Sequence, residues 1–176
     1  MAIKKYNANA DNTITNSFRP GLKLRGTGSN TGQADVLEVF SIYGRETAVG
    51  VNRTSGSQEL TRFLIQFPTS DISSDRTAGT IPASGSVSFY LKIYNAETSK
   101  TVPKEFKLTV NPISQSWQEG DGLDLENFKD LTYDNEGSNW LNASETVRWT
   151  NVGGDFLTSS SDYLYEQTFT TGLEDL

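Results

Sequence analysis

Val87, Phe89, Leu91 and Ile93 alternate without a break with Ser88, Tyr90, Lys92 and Tyr94. A period of two belongs to the β-strand, in which successive side chains point to opposite faces. The pattern predicts a half-buried strand. Phe106, Leu108 and Val110 repeat it against Glu105, Lys107 and Thr109, and Pro112 closes that run. Residues 95–103 are a short enough linker to make the two an antiparallel pair. Within residues 60–67, Phe63, Ile65 and Phe67 share one face, Arg62, Leu64 and Gln66 share the other, and Pro68 ends the strand. Further strands are expected at residues 10–15, 36–43, 146–149 and 163–169.

Nothing in the chain carries a sustained helical period. Residues 70–76 allow one helical turn, and residues 125–130 allow a short helix capped by Asp124. Short strands separated by Gly, Pro and Asn predict an all-β protein, an antiparallel β-sandwich of jelly-roll type with long loops and at most one or two short helices. Residues 1–9 read as an N-terminal arm and residues 10–176 as one β-sandwich domain. The sequence stops soon after a turn at Gly172, where another strand would begin. The expectation is that the chain is the N-terminal part of a longer polypeptide.

Composition removes most catalytic chemistry. The chain has no Cys and no His. Disulfides, thiolate nucleophiles, Ser-His-Asp triads and His-ligated zinc are therefore excluded. Carboxylates remain, but no pair stands out as a glycosidase couple, so no enzyme is expected. The loop 26–32 is rich in Gly, Ser and Asn but lacks the Gly-Lys-Ser/Thr ending of a phosphate cradle. No apolar run approaches the ~20 residues of a membrane span.

Charge is unevenly spread. Residues 1–118 hold 13 Lys/Arg against 9 Asp/Glu, a net of +4, whereas residues 119–176 hold 2 against 13, a net of −11. That asymmetry argues against nucleic acid as a partner and fits end-to-end contact between copies. Within the acidic part, Asp121, Asp124 and Glu126 could offer oxygens to Ca²⁺, although the spacing is not that of an EF-hand. A solvated acidic loop without a cofactor is the preferred reading.

All three tryptophans, Trp117, Trp140 and Trp149, lie in the last third of the chain. Buried, they would anchor the acidic loops to a β-core; exposed and coplanar, they would form a platform for sugar rings. Anchoring is preferred, because long polar connections need something to pin them. Tyr43, Tyr90 and Tyr94 fall on outward faces and are candidate contact residues.

Three blocks carry a resemblance. Ala10-Asp11-Asn12-Thr13-Ile14 is followed by Gly28-Ser29-Asn30-Thr31-Gly32. Residues 60–67 are followed by residues 85–95. Ser114-Gln115-Ser116-Trp117-Gln118-Glu119-Gly120 is followed by Asn139-Trp140 and Gly153-Gly154-Asp155. Together these resemble the DNRLRE-type β-sandwich module, which is related to carbohydrate-binding modules. The strings Ala34-Asp35-Val36-Leu37-Glu38-Val39-Phe40-Ser41-Ile42-Tyr43-Gly44 and Gly85-Ser86-Val87-Ser88-Phe89-Tyr90-Leu91 are similar to virion structural proteins of tailed marine bacteriophages. The resemblance implies a structural protein of a capsid decoration, fibre, neck or tail appendage, assembled in the host cytoplasm. Its partners would be copies of itself and other virion proteins. The alternative it leaves open is a module that recognises a host glycan. It brings no catalytic residue with it.

Overall fold

The computed structural model describes residues 3–19, 24–43, 58–83, 85–97, 103–123, 137–158 and 165–170. Among them are five strands and one helix: β1 (Ala10–Thr15), β2 (Ser41–Tyr43), β3 (Gln58–Gln66), α1 (Thr69–Thr77), β4 (Glu105–Val110) and β5 (Tyr165–Thr170). The protein is mostly strand and its sheets are antiparallel, so the all-β class holds. β3 is the longest strand and the centre of a three-stranded sheet of order β1-β3-β2. β1 runs along it from Ala10 opposite Gln66 to Thr15 opposite Thr61. The short β2 pairs with the other end, Ser41 opposite Leu60. β4 and β5 form a separate two-stranded ladder, Glu105 opposite Thr170 and Val110 opposite Tyr165.

Pro68 lacks the N–H that would continue the β3 ladder, and it sits at the N-cap of α1. The helix is longer than the single turn the sequence supports, and it buries none of its residues. It ends where the N–H groups of Ala78 and Gly79 turn back to the carbonyls of Ser74 and Arg76, with Gly79 at a φ of 72°. That left-handed conformation closes a helix most easily at glycine. The N-terminal arm lies against α1. The Tyr6 hydroxyl donates to Asp75 Oδ2 at 2.7 Å, and Lys4 Nζ lies 3.0 Å from the same oxygen. The hydrogen bond to Asp75 and burial push the Tyr6 phenol up to about 12.

Several expected elements differ. Residues 87–94 are not part of any strand among the described residues, and Phe89, Tyr90, Leu91, Ile93 and Tyr94 are exposed. The expected partner, β4, is taken instead by β5. Alternation states that a strand can form, but not which edge receives it. Of the run 36–43, only the last three residues are strand, and Val36 and Val39 are exposed. The segment 146–149 is not a strand either; it contributes one bridge, Asn142 to Arg148.

β3 corrects the reading of its own faces. Alternation gathers Phe63, Ile65 and Phe67 as the apolar face, yet these are only half-buried. The core cluster takes Leu64 from the other face, with Ile14 of β1, Trp140, Ala143 and Trp149, and packs Leu60, Ile113 and Trp117 against them. A strand covered on both faces gives no clean periodic signal for which face is the core.

This core is small and strongly polar. Among the described residues, seven apolar residues are buried, against twelve polar or charged ones. Hydrogen bonding must therefore specify the packing, because a buried polar group without a partner is costly. Asn12 and Asn30, both fully buried, do this at one end of the sheet. Asn12 Nδ2 donates to the carbonyl and the hydroxyl of Ser138, and its Oδ1 accepts from the Thr31 N–H at 3.0 Å. Asn30 Nδ2 donates to the carbonyls of Glu119 and Ser138, and its Oδ1 accepts from the N–H groups of Gly32 and Gly122. Every donor and acceptor of the Asn30 amide is used. The surrounding backbone comes so close that a Cβ on Gly122 would stand 1.9 Å from the Asn30 carbonyl oxygen. Only glycine fits there.

Asn30→Ala would remove the side-chain partner of the Glu119 carbonyl and of the Gly32 and Gly122 N–H groups, whereas the Ser138 carbonyl keeps Asn12. At about 1–3 kcal/mol for each unsatisfied group, and with non-additive sums, the variant is expected to lose at least 3 kcal/mol. The isosteric Asn30→Asp should not restore it, because it removes both donors. Urea unfolding checks both.

Candidate functional site

The site is built on the face of β3 that carries Leu60, Arg62 and Leu64. The segment 137–157 covers that face with turns instead of strands, so side chains must satisfy its backbone. Asn139 Oδ1 accepts from the N–H groups of Leu141 and Asn142, an Asx turn that starts the segment. The Trp149 indole N–H donates to the Asn139 carbonyl at 2.8 Å. Further along, the Ala143 N–H donates to the Val147 carbonyl, and the Gly153 N–H donates to that of Trp140 at 2.7 Å.

Arg62 holds this cover to the sheet. Its guanidinium lies 4.9 Å from the Trp140 ring centroid and 4.6 Å from that of Phe156. Its Nη1 donates to the Gly153 carbonyl. Each cation–π contact contributes about 0.5–2 kcal/mol, more where water is excluded. Burial pushes the Arg62 guanidinium below its usual value, but it stays charged at any ordinary pH. Gly153 has a φ of 90°, and a Cβ there would stand 2.6 Å from Arg62 Nη1 and 2.9 Å from the Trp140 ring. A glycine is thus required for the arginine to reach between the rings.

Asp155 shapes the next turn. Its carboxylate accepts from the N–H groups of Thr150 and Asn151, both at 2.7 Å, and from the Asn151 side chain at 3.0 Å. Desolvation alone would raise this carboxyl; the hydrogen bonds from Thr150 and Asn151 outweigh it and hold the group below the usual carboxylate range. The Asp155 carbonyl accepts from both the N–H and the hydroxyl of Ser114, which ties the turn to the residues before Trp117.

Between that turn and residues 114–118 lies an open groove of about 840 Å³. The Trp117 and Phe156 rings line it, with Ser116, Gln118, Ser144 and Asn151 around them. Asp155 is the charged residue of its lining, and its carboxylate oxygens are turned to the Thr150 and Asn151 amides.

The tryptophans therefore divide. Trp140 and Trp149 are 7% and 4% exposed and anchor the cover, while Trp117 is half-buried at the groove. A platform of three exposed rings does not exist. Tyr43, Tyr90 and Tyr94 are exposed and lie away from the groove lining. Asp121 is exposed, whereas Asp124 and Glu126 lie outside the described residues. Among the described residues, no group of three or more His, Cys, Asp or Glu is placed to hold a metal ion. No helix among them is long and apolar enough to cross a membrane. Sequence reasoning missed Arg62, Asn30 and Asp155. The available signals were an arginine inside an apolar strand and the Gly153-Gly154-Asp155 run.

No family model, curated protein or solved structure matches the chain.

A group with a depressed folded-state pKa contributes stability above its unfolded value, near 4, and loses that contribution as pH falls through the folded value. Asp155→Asn should therefore destabilise the protein at neutral pH, with the deficit shrinking steadily under acid. Thermal unfolding of both proteins between neutral and strongly acidic pH checks the sign.

Proposed function

We propose that the chain is a non-catalytic structural module that works by assembly: a structural protein of a tailed-phage virion, in a decoration, fibre, neck or tail appendage. Its partners are copies of itself and other virion proteins. The strands and their covering loops belong to a jelly-roll-like β-sandwich in this reading.

One observation carries the assembly role. Residues 87–94 lie outside every ladder among the described residues, yet they expose a row of large side chains. Phe89 is 59% exposed, Leu91 and Ile93 are 45% each, and Tyr90 and Tyr94 are 88% and 80%. Single exposed apolar residues are ordinary, but a contiguous row of them marks an interaction surface. Aromatic residues are also what interface cores favour. Tyr43, at the β2 edge of the sheet, adds a second exposed ring, 75% exposed. The uneven charge supports the same reading, since a net +4 over residues 1–118 complements a net −11 over residues 119–176 of a neighbour. The virion setting rests on the resemblance of residues 34–44 and 85–91.

Sedimentation velocity of the intact protein should show concentration-dependent association that weakens as salt rises, because exposed charge pairs are screened. Phe89→Ser with Ile93→Ser should shift it toward monomer, with the β1-β3-β2 sheet unchanged by circular dichroism. A protein that stays monomeric at assembly concentrations, alone and with other virion proteins, would end this reading.

A further inference from the structure

We propose that residues 87–94 complete a β-ladder between two copies of the chain, each pairing antiparallel with the same segment of the other about a two-fold axis at Tyr90. The inference rests on the assembly reading and adds to it the pairing segment, the symmetry and the register.

Main-chain hydrogen bonding points to a ladder. No N–H or carbonyl of residues 87–94 is hydrogen-bonded among the described residues. The segment nevertheless carries the strictest period of two in the sequence, and β4, the neighbour expected for it, is engaged by β5. A run of free N–H and carbonyl groups with strand-type side chains is a template for a strand from another molecule. At its near end the Arg76 guanidinium stands 5.7 Å from the Phe89 ring, so α1 flanks the row without covering it.

The side chains choose the occupant, because the segment is its own complement. With Tyr90 opposite Tyr90, Val87 meets Ile93, Phe89 meets Leu91, and Ser88 meets Lys92. All four apolar residues of each chain then face apolar residues of the other. The two tyrosines form an aromatic pair, and the single charge of the segment meets a hydroxyl, so no like charges oppose. A slip of one residue would set the apolar face against Tyr94, Lys92, Tyr90 and Ser88. A slip of two would leave Ile93 opposite Gly85 or Val87 opposite Asn95. A two-fold pairing of this kind is closed, since each copy uses the same patch on the other.

The chain has no Cys, so single cysteines report the register directly. Directly opposed residues have Cα atoms about 4.5–5.5 Å apart, within disulfide reach, whereas diagonal neighbours at about 7–8 Å lie outside it. Phe89→Cys, Tyr90→Cys, Leu91→Cys and Lys92→Cys are made in the full chain and oxidised with oxidised glutathione, at a concentration where sedimentation shows the unmodified protein associating. Tyr90→Cys should give about tenfold more disulfide dimer than the other three. Mixing Phe89→Cys with Leu91→Cys chains should restore dimer, as a mixed disulfide. A maximum at Leu91 or Lys92, or no preference among the positions, would overturn the proposal. So would a mixed disulfide between Tyr43→Cys and Tyr90→Cys chains in place of the Tyr90 dimer, which would put the row on a neighbour's β2 edge. Association that persists without the Tyr90 dimer would reject this pairing and leave the assembly reading standing, whereas a protein that does not associate at all would end both.

Discussion

Arg62 lies between the rings of Trp140 and Phe156, and its hydrogen bond to Gly153 holds one segment of chain over one face of the central sheet. That contact solves the main problem of this sequence. A three-stranded sheet with one nine-residue strand buries too little apolar surface to stand alone. Its cover is not a second regular layer: residues 137–157 run through turns and are rich in Gly, Asn and Ser. The arginine bridges the two through flat faces and charge. Burying it needs only aromatic neighbours and one carbonyl.

The cost of such a cover falls on its backbone. Turns leave N–H groups that no ladder satisfies, and here Asn139, Asp155, Asn30 and Asn12 take them up one by one. This explains why the described core has more polar than apolar residues. It also explains why glycines sit where side chains would collide, at Gly122 against Asn30 and at Gly153 against Arg62. The design trades apolar area for geometry, so it should be sensitive to single polar substitutions and tolerant at its exposed strands.

What the sequence made legible follows from the same physics. β1, β3, β4 and β5 were expected within a few residues of where they lie, because period two is a local signal. Residues 87–94 share that signal and still lie outside any ladder, since pairing is decided by distant edges. Leu64 was not singled out as core, because its strand is covered on both faces. The role of Asn30 was invisible: an asparagine in a Gly/Ser loop looks the same whether it is solvated or buried with all its valences used. The tryptophans were read as anchors or as a platform. Trp140 and Trp149 are buried beneath the turns that Asn139 and Asp155 organise, and Trp117 is half-buried at the groove.

The groove at Trp117 is walled on one side by this cover and depends on its staying in place. Hydrogen exchange of the backbone amides in Arg62→Leu against the unmodified protein tests that dependence most directly. Faster exchange confined to residues 137–157, with the β1–β3 ladder as protected as before, is the expected result. Unchanged protection of Gly153 and Trp149 in the variant would contradict the role given to Arg62.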